Sequence, residues 1–115
     1  MLNSVSNKGS SNSRPQVDLQ IQEAKDILKR IGAENCEKLR EAFKTYVVTR
    51  HLDAKRGIDI KVGAEKLGVE FANFFPKNVN DAIAVFNEIL RTSTDFIYPE
   101  EAMAAREAIR KAMQK

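Results

Sequence analysis

The chain holds one cysteine, Cys36, and one histidine, His51, in 115 residues. A lone cysteine cannot close an internal disulfide, which sets aside the stapled scaffolds of small secreted proteins. One cysteine and one histidine cannot furnish a Cys/His zinc site within a single chain. No stretch approaches the roughly 18 consecutive apolar residues that a membrane span requires. The opening MLNSVSNKGSSNSRPQ has neither the apolar run of a secretory signal nor the Arg-rich amphipathic pattern of an import peptide, so the expected compartment is the cytoplasm. A Gly-rich phosphate loop, H-E-x-x-H, an EF-hand loop and G-x-S-x-G are also missing. Cys36 and His51 fall on one expected helix, roughly 22 Å apart, too far for a thiol–imidazole dyad. The pairs Glu34/Glu37 and Glu100/Glu101 sit in first helical turns, where the helix dipole accounts for them. The expectation is a protein that is not an enzyme and holds no metal or cofactor.

What is present suits a single domain: 43% of residues are hydrophobic, enough for a modest core. Residues 1–16 contain five Ser and three Asn and almost no apolar side chains. Such a segment cannot bury enough surface to offset its ordering entropy, and it reads as a flexible, disordered N-terminal tail. From Val17 the pattern changes, and residues 17–115 read as one helical domain.

Val17, Ile21, Ala24, Leu28 and Ile31 recur at helical spacing and predict a helix over 17–31, closed by Gly32. Cys36, Leu39, Phe43, Tyr46 and Val47 form the stripe of a second helix over 35–52, with Asn35 as N-cap. The short turn between them predicts an antiparallel pair. Residues 53–57 read as a loop. Ile58, Ile60 and Val62 alternate like a strand, but Ile60, Ala64, Leu67, Phe71 and Phe74 fit a helix equally well. No second alternating run exists to pair with a strand, so the third element is expected to be a helix that Gly63 or Gly68 could interrupt and Pro76 ends. Val79, Ala82, Ile83, Phe86, Ile89 and Leu90 define a fourth helix, with Asn78 or Asn80 as cap. Pro99 opens a fifth, with Glu100 and Glu101 in its first turn. Its small residues Ala102, Ala105 and Ala112, with Ile109, would let it lie close against a neighbour. The expected fold is all-α, a compact bundle of about five helices.

Ala64, Leu67, Gly68, Val69 and Phe74 resemble the helix-turn-helix pattern. There a small residue sits at the crossing, a glycine starts the turn and hydrophobes pin the recognition helix. The segment that would read bases, E70-F-A-N-F-F-P76, offers only Asn73 to a base edge and Glu70 to the phosphates. Its phenylalanines point to core or partner contact instead.

Residues 38–66 carry eight basic and four acidic groups, and residues 67–101 carry two and six. The basic middle provides a strip of Arg40, Lys44, Arg50, His51, Lys55, Arg56 and Lys61, the candidate for phosphate or an acidic partner. Phe71, Phe74, Phe75 and Tyr98 are the candidate protein-binding aromatics, because interfaces favour aromatic and Arg anchors. The leading expectation is a non-catalytic module that binds another protein. The alternative is a nucleic-acid-binding domain that holds phosphates through the basic strip, as a regulator or a replication or mobile-element accessory factor. A third is self-association through the alanine-faced last helix.

Overall fold

The computed structural model describes residues 13–75 and 77–113. Its elements are five helices in chain order: α1 (Ser13–Ile31), α2 (Ala33–Lys55), α3 (Ile60–Phe74), α4 (Val79–Thr92) and α5 (Pro99–Ala112). Among the described residues there is no strand, so the all-α expectation holds. Residues 1–12 of the expected tail lie outside the described residues. Residues 13–16 are helical, so α1 starts four positions before the expected Val17.

Helix α1 ends where Gly32 takes φ +90°, a left-handed conformation that favours glycine. The Gly32 N–H donates to the carbonyl of Leu28 at 3.2 Å, and the Gly32 carbonyl accepts from Cys36 N–H at 3.1 Å. One residue therefore closes α1 and opens α2. Asn35 is not the cap that its position suggested. It lies inside α2, and its side-chain amide donates to the Ile31 carbonyl at 2.8 Å. Across this one-residue connection the Cys36 thiol donates to the Leu28 carbonyl at 3.2 Å. Helix α1 contacts α2 and, more extensively, α4.

Residues 58–62 resolve in favour of helix from Ile60 onward. Asp59 is the N-cap, its carboxylate accepting from Lys61 N–H at 2.9 Å. Neither glycine interrupts α3. Gly63 and Gly68 both lie inside continuous helix, so the helix-turn-helix bend suggested by Gly68 is absent. The end of α3 is made at Phe75, whose N–H donates to the Ala72 carbonyl, while Pro76 lies outside the described residues. Asn78 caps α4, accepting from Asp81 N–H at 3.1 Å.

Helix α3 is the centre of the packing, in contact with α2, α4 and α5. Phe71 meets Phe86 of α4 edge to face, centroids 5.4 Å apart, and Phe43, Leu39, Val85 and Ile109 close around them. The most extensive contact is between α3 and α5. Gly68 is the reason that they can meet so closely: a Cβ there would stand 2.2 Å from the Ala105 carbonyl oxygen and 3.0 Å from the Ala108 Cβ. The glycine read as a turn former is instead the missing side chain through which α5 touches the α3 backbone. Gly68→Ala should therefore destabilise the fold by at least about 2 kcal/mol, despite alanine's better helix propensity. Gly63→Ala would meet only the Tyr46 ring edge at 3.1 Å. It should stay within about 1 kcal/mol of the parent, and urea unfolding of the two variants measures the contrast.

Candidate interaction surface

The α4–α5 connection, residues 93–98, is too short to form its own core and is held from both ends. Ser93 Oγ accepts from Asp95 N–H at 3.0 Å. At the other end, Tyr98 N–H donates to Glu101 Oε2 at 2.6 Å, and the Tyr98 carbonyl accepts from Glu101 N–H at 3.0 Å. This reciprocal pair starts α5 as a Ser or Thr capping box would, except that the cap's hydroxyl is replaced by its carbonyl. Approaching α5, successive side chains alternate between solvent and core. Ile97 is buried, while Phe96 and Tyr98 are 67% and 51% exposed. The two rings meet edge to face with centroids 5.3 Å apart.

Glu101 itself is fully buried. Arg50 of α2 grips it bidentately, Nε to Oε1 at 2.7 Å and Nη2 to Oε2 at 3.1 Å, and the Tyr46 hydroxyl donates to Oε1. Burial by itself would raise the carboxyl's pKa. The hydrogen bonds from Arg50, Tyr46 and the Tyr98 amide outweigh it and hold Glu101 below the usual glutamate range. Burial, reinforced by the bond to Glu101, pushes the Tyr46 phenol up, so it remains a donor. The Arg50 guanidinium also lies 5.7 Å from the Tyr98 ring centroid. A buried carboxylate on α5 thus joins α2 to α5 and sets the place of the exposed ring.

The connection runs beside α2. Its first residues share a cleft of about 170 Å³ with Arg40, Phe43 and Lys44 of α2, and its last ring sits over Arg50. Arg40, Lys44 and His51 are exposed and share one side of α2, at spacings of four and seven residues. Exposed Val48 lies on that side as well. Lys55 and Arg56 are exposed at the end of α2, and Lys61 is exposed in the first turn of α3.

Three expected contact residues are corrected. Arg50 is buried and ion-paired, so it does not belong to a phosphate-binding strip. Phe71 and Phe75 are buried core side chains. Phe71 is on the side of α3 that faces the other helices, against Phe86, and Phe75 directly follows the helix. Phe74 is 36% exposed, but Tyr98 has Phe96 as its aromatic neighbour. Phe96 was missing from the expected set. Its signal was the triplet Phe96-Ile97-Tyr98 just before a helix-starting proline, where an extended chain must turn alternate residues outward. The expected self-association through the alanine face of α5 is corrected too. Ala102, Ala105 and Ile109 are buried in the contact inside the molecule, so that face is already occupied.

Other polar groups do not converge. A groove of about 450 Å³ between α1 and α4 is bordered by Glu88 and Arg91, but these satisfy each other at 2.8 and 2.9 Å. Among the described residues, no three His, Cys, Asp or Glu side chains are placed to share a metal ion. No described helix is long and apolar enough to cross a membrane. No family model, curated protein or solved structure matches this chain.

Because the folded pKa of Glu101 is lowered, its contribution to stability is complete above the ordinary glutamate value of about 4.3 and is lost as pH falls through the folded value. Glu101→Gln should lower stability at neutral pH by about 3–5 kcal/mol, since it leaves Arg50 buried without its counter-charge. The loss should shrink as the parent is acidified. Arg50→Met combined with Glu101→Leu should cost less than the sum of the two single changes. Thermal melts as a function of pH measure both effects.

Proposed function

We propose that this chain is a non-catalytic helical module that binds another protein through the α4–α5 connection and the adjacent side of α2. The observation that carries the reading is the exposed Phe96–Tyr98 pair. A flexible loop would fold such rings against the core or leave them unordered. Here the backbone on which they stand is tied to a buried carboxylate, so little ordering entropy remains to be lost on binding. Rigid aromatic rings presented in this way match the anchors that dominate protein interfaces. Arg40, Lys44 and His51 on the exposed side of α2 would favour a partner segment that is acidic around an apolar centre, and they would speed the encounter more than they deepen the affinity.

A second reading is a nucleic-acid-binding domain. A base can stack on an exposed ring while the exposed cations of α2 follow the phosphates. The expected basic strip alone lacked that aromatic component. Duplex reading gains nothing, since α3 is a continuous central helix with Phe71 buried.

The test compares the whole chain with a Phe96→Ser/Tyr98→Ser variant, each immobilised and exposed to extract from cells that express the protein. Because both rings are exposed, the variant should keep its melting temperature to within a few degrees, with a stability change of about 0.5 kcal/mol. A protein retained by the parent at physiological salt and lost by the variant supports the reading; identical retention by both overturns it. The nucleic-acid reading is measured in parallel with a labelled single strand and duplex. It requires single-strand binding that needs the same two rings and falls steeply with salt.

A further inference from the structure

Helix α2 is apolar on two sides. Its inner side carries Leu39, Phe43 and Tyr46, all buried. On its outer side Val48 is 64% and Leu52 49% exposed, one turn apart, and exposed Lys55 continues the same stripe. Exposed Lys44 and His51 lie along one edge of this stripe, and exposed Arg56 at the helix C-cap lies at the other. The turn that follows adds exposed Ile58. Its N–H donates to the Asp53 carbonyl at 2.9 Å and holds the turn against the end of α2.

Charge is segregated along the outer side of α2. The exposed acids Glu34, Glu37 and Glu41 all precede Lys44, and from Lys44 to Arg56 the one acid is Asp53, which is half-buried. Asp59, further on, is occupied in capping α3. Among the described residues, Lys44, His51, Lys55 and Arg56 form no ion pair. The stripe is also convex: neither the α1–α4 groove nor the cleft beside the α4–α5 connection reaches Val48 or Leu52. Valine and leucine are poor anchors in protein interfaces, where aromatic side chains and Arg dominate. No Phe, Tyr or Trp is exposed between Lys44 and Ile58 on which a base could stack.

We propose that the C-terminal half of α2 and the turn after it bind an anionic lipid surface, with Val48 and Leu52 at the acyl boundary and Lys44, Lys55 and Arg56 at the headgroups. Long basic side chains at the edges of an apolar stripe can reach lipid phosphates while the stripe enters the boundary beneath them, the arrangement by which a helix lies in such an interface. A deformable surface of many anions needs neither a pocket nor a fixed fork of donors. Two aliphatic tips and a few cations make the attachment weak and reversible. The surface is separate from the Phe96–Tyr98 pair, since Tyr98 stands over Arg50 on the inner side of α2, and it does not rest on the reading given for that pair.

Co-sedimentation of the full chain with lipid vesicles tests the proposal. Vesicles of phosphatidylcholine containing about a third phosphatidylserine should carry the protein down at low ionic strength and release it as salt rises, and vesicles of phosphatidylcholine alone should not bind it. Lys55→Gln with Arg56→Gln should lower the partition coefficient about 30-fold. Lys25→Gln with Lys29→Gln removes the same charge from exposed positions on α1 and should leave binding within about threefold of the parent. Val48→Ser with Leu52→Ser should lower it about tenfold. The Phe96→Ser/Tyr98→Ser variant should bind vesicles as the parent does. All these positions are exposed, and circular dichroism checks that each variant keeps its helix content. A parent that leaves acidic vesicles unbound at low salt overturns the proposal, including where Lys55 and Arg56 then prove to hold a nucleic acid or an acidic protein. Equal losses from the α1 pair and the α2 pair also overturn it, because binding would then follow net charge alone. So does binding that the Val48 and Leu52 changes leave intact, or that the Phe96 and Tyr98 changes abolish.

Discussion

The carboxylate of Glu101 is the constraint on which the upper half of this bundle depends. It has no contact with water and accepts from the Tyr46 hydroxyl, two nitrogens of Arg50 and the backbone N–H of Tyr98. A buried charge is tolerated only when its lone pairs are occupied, and here they are occupied by groups from two distant parts of the chain. The same atom set therefore starts α5, ties α2 to α5 and anchors the backbone that carries the exposed rings. An apolar pair at these positions could hold the helices together equally well, but it would leave Tyr98 N–H without its acceptor.

Helix α3 shows how close packing and surface presentation share one element. Its inner side is small at Gly68, so the α5 backbone comes within reach, and large at Phe71, which fills the space beside Phe86. Its outer side carries two valines at helical spacing among charges of both signs. A helix apolar on both sides belongs in the middle of something. Within the molecule it lies between α2, α4 and α5, and its remaining side faces solvent.

Much of this architecture was legible in the residues. The stripes of α2 and α4, Asn78 as a cap, Pro99 at the start of α5 and the closing of α1 at Gly32 all follow from interactions within a few positions along the chain. So did the small-residue character of α5, although its consequence was misassigned: the alanines serve the contact with α3 and not one with another copy. Asn35 and Gly68 were misread for a common reason. Both residue types favour helix ends, but Asn35 found the carbonyl of the residue four positions before it, and Gly68 found another helix.

The sequence by itself determined where the five helices lie, short of their ends, and which side of each is apolar, because those properties depend on neighbours three and four residues away. Only the tertiary structure decided that Arg50 is buried while Lys44 is not, that Phe71 and Phe75 belong to the core, and that Phe96 stands beside Tyr98 on the surface. Those outcomes depend on how the helices meet, and for Arg50 on Glu101, fifty-one residues distant. Periodicity records that a residue lies on or beside an apolar stripe. Whether it meets a carboxylate, a ring or water there is set by the helix that arrives from elsewhere in the chain.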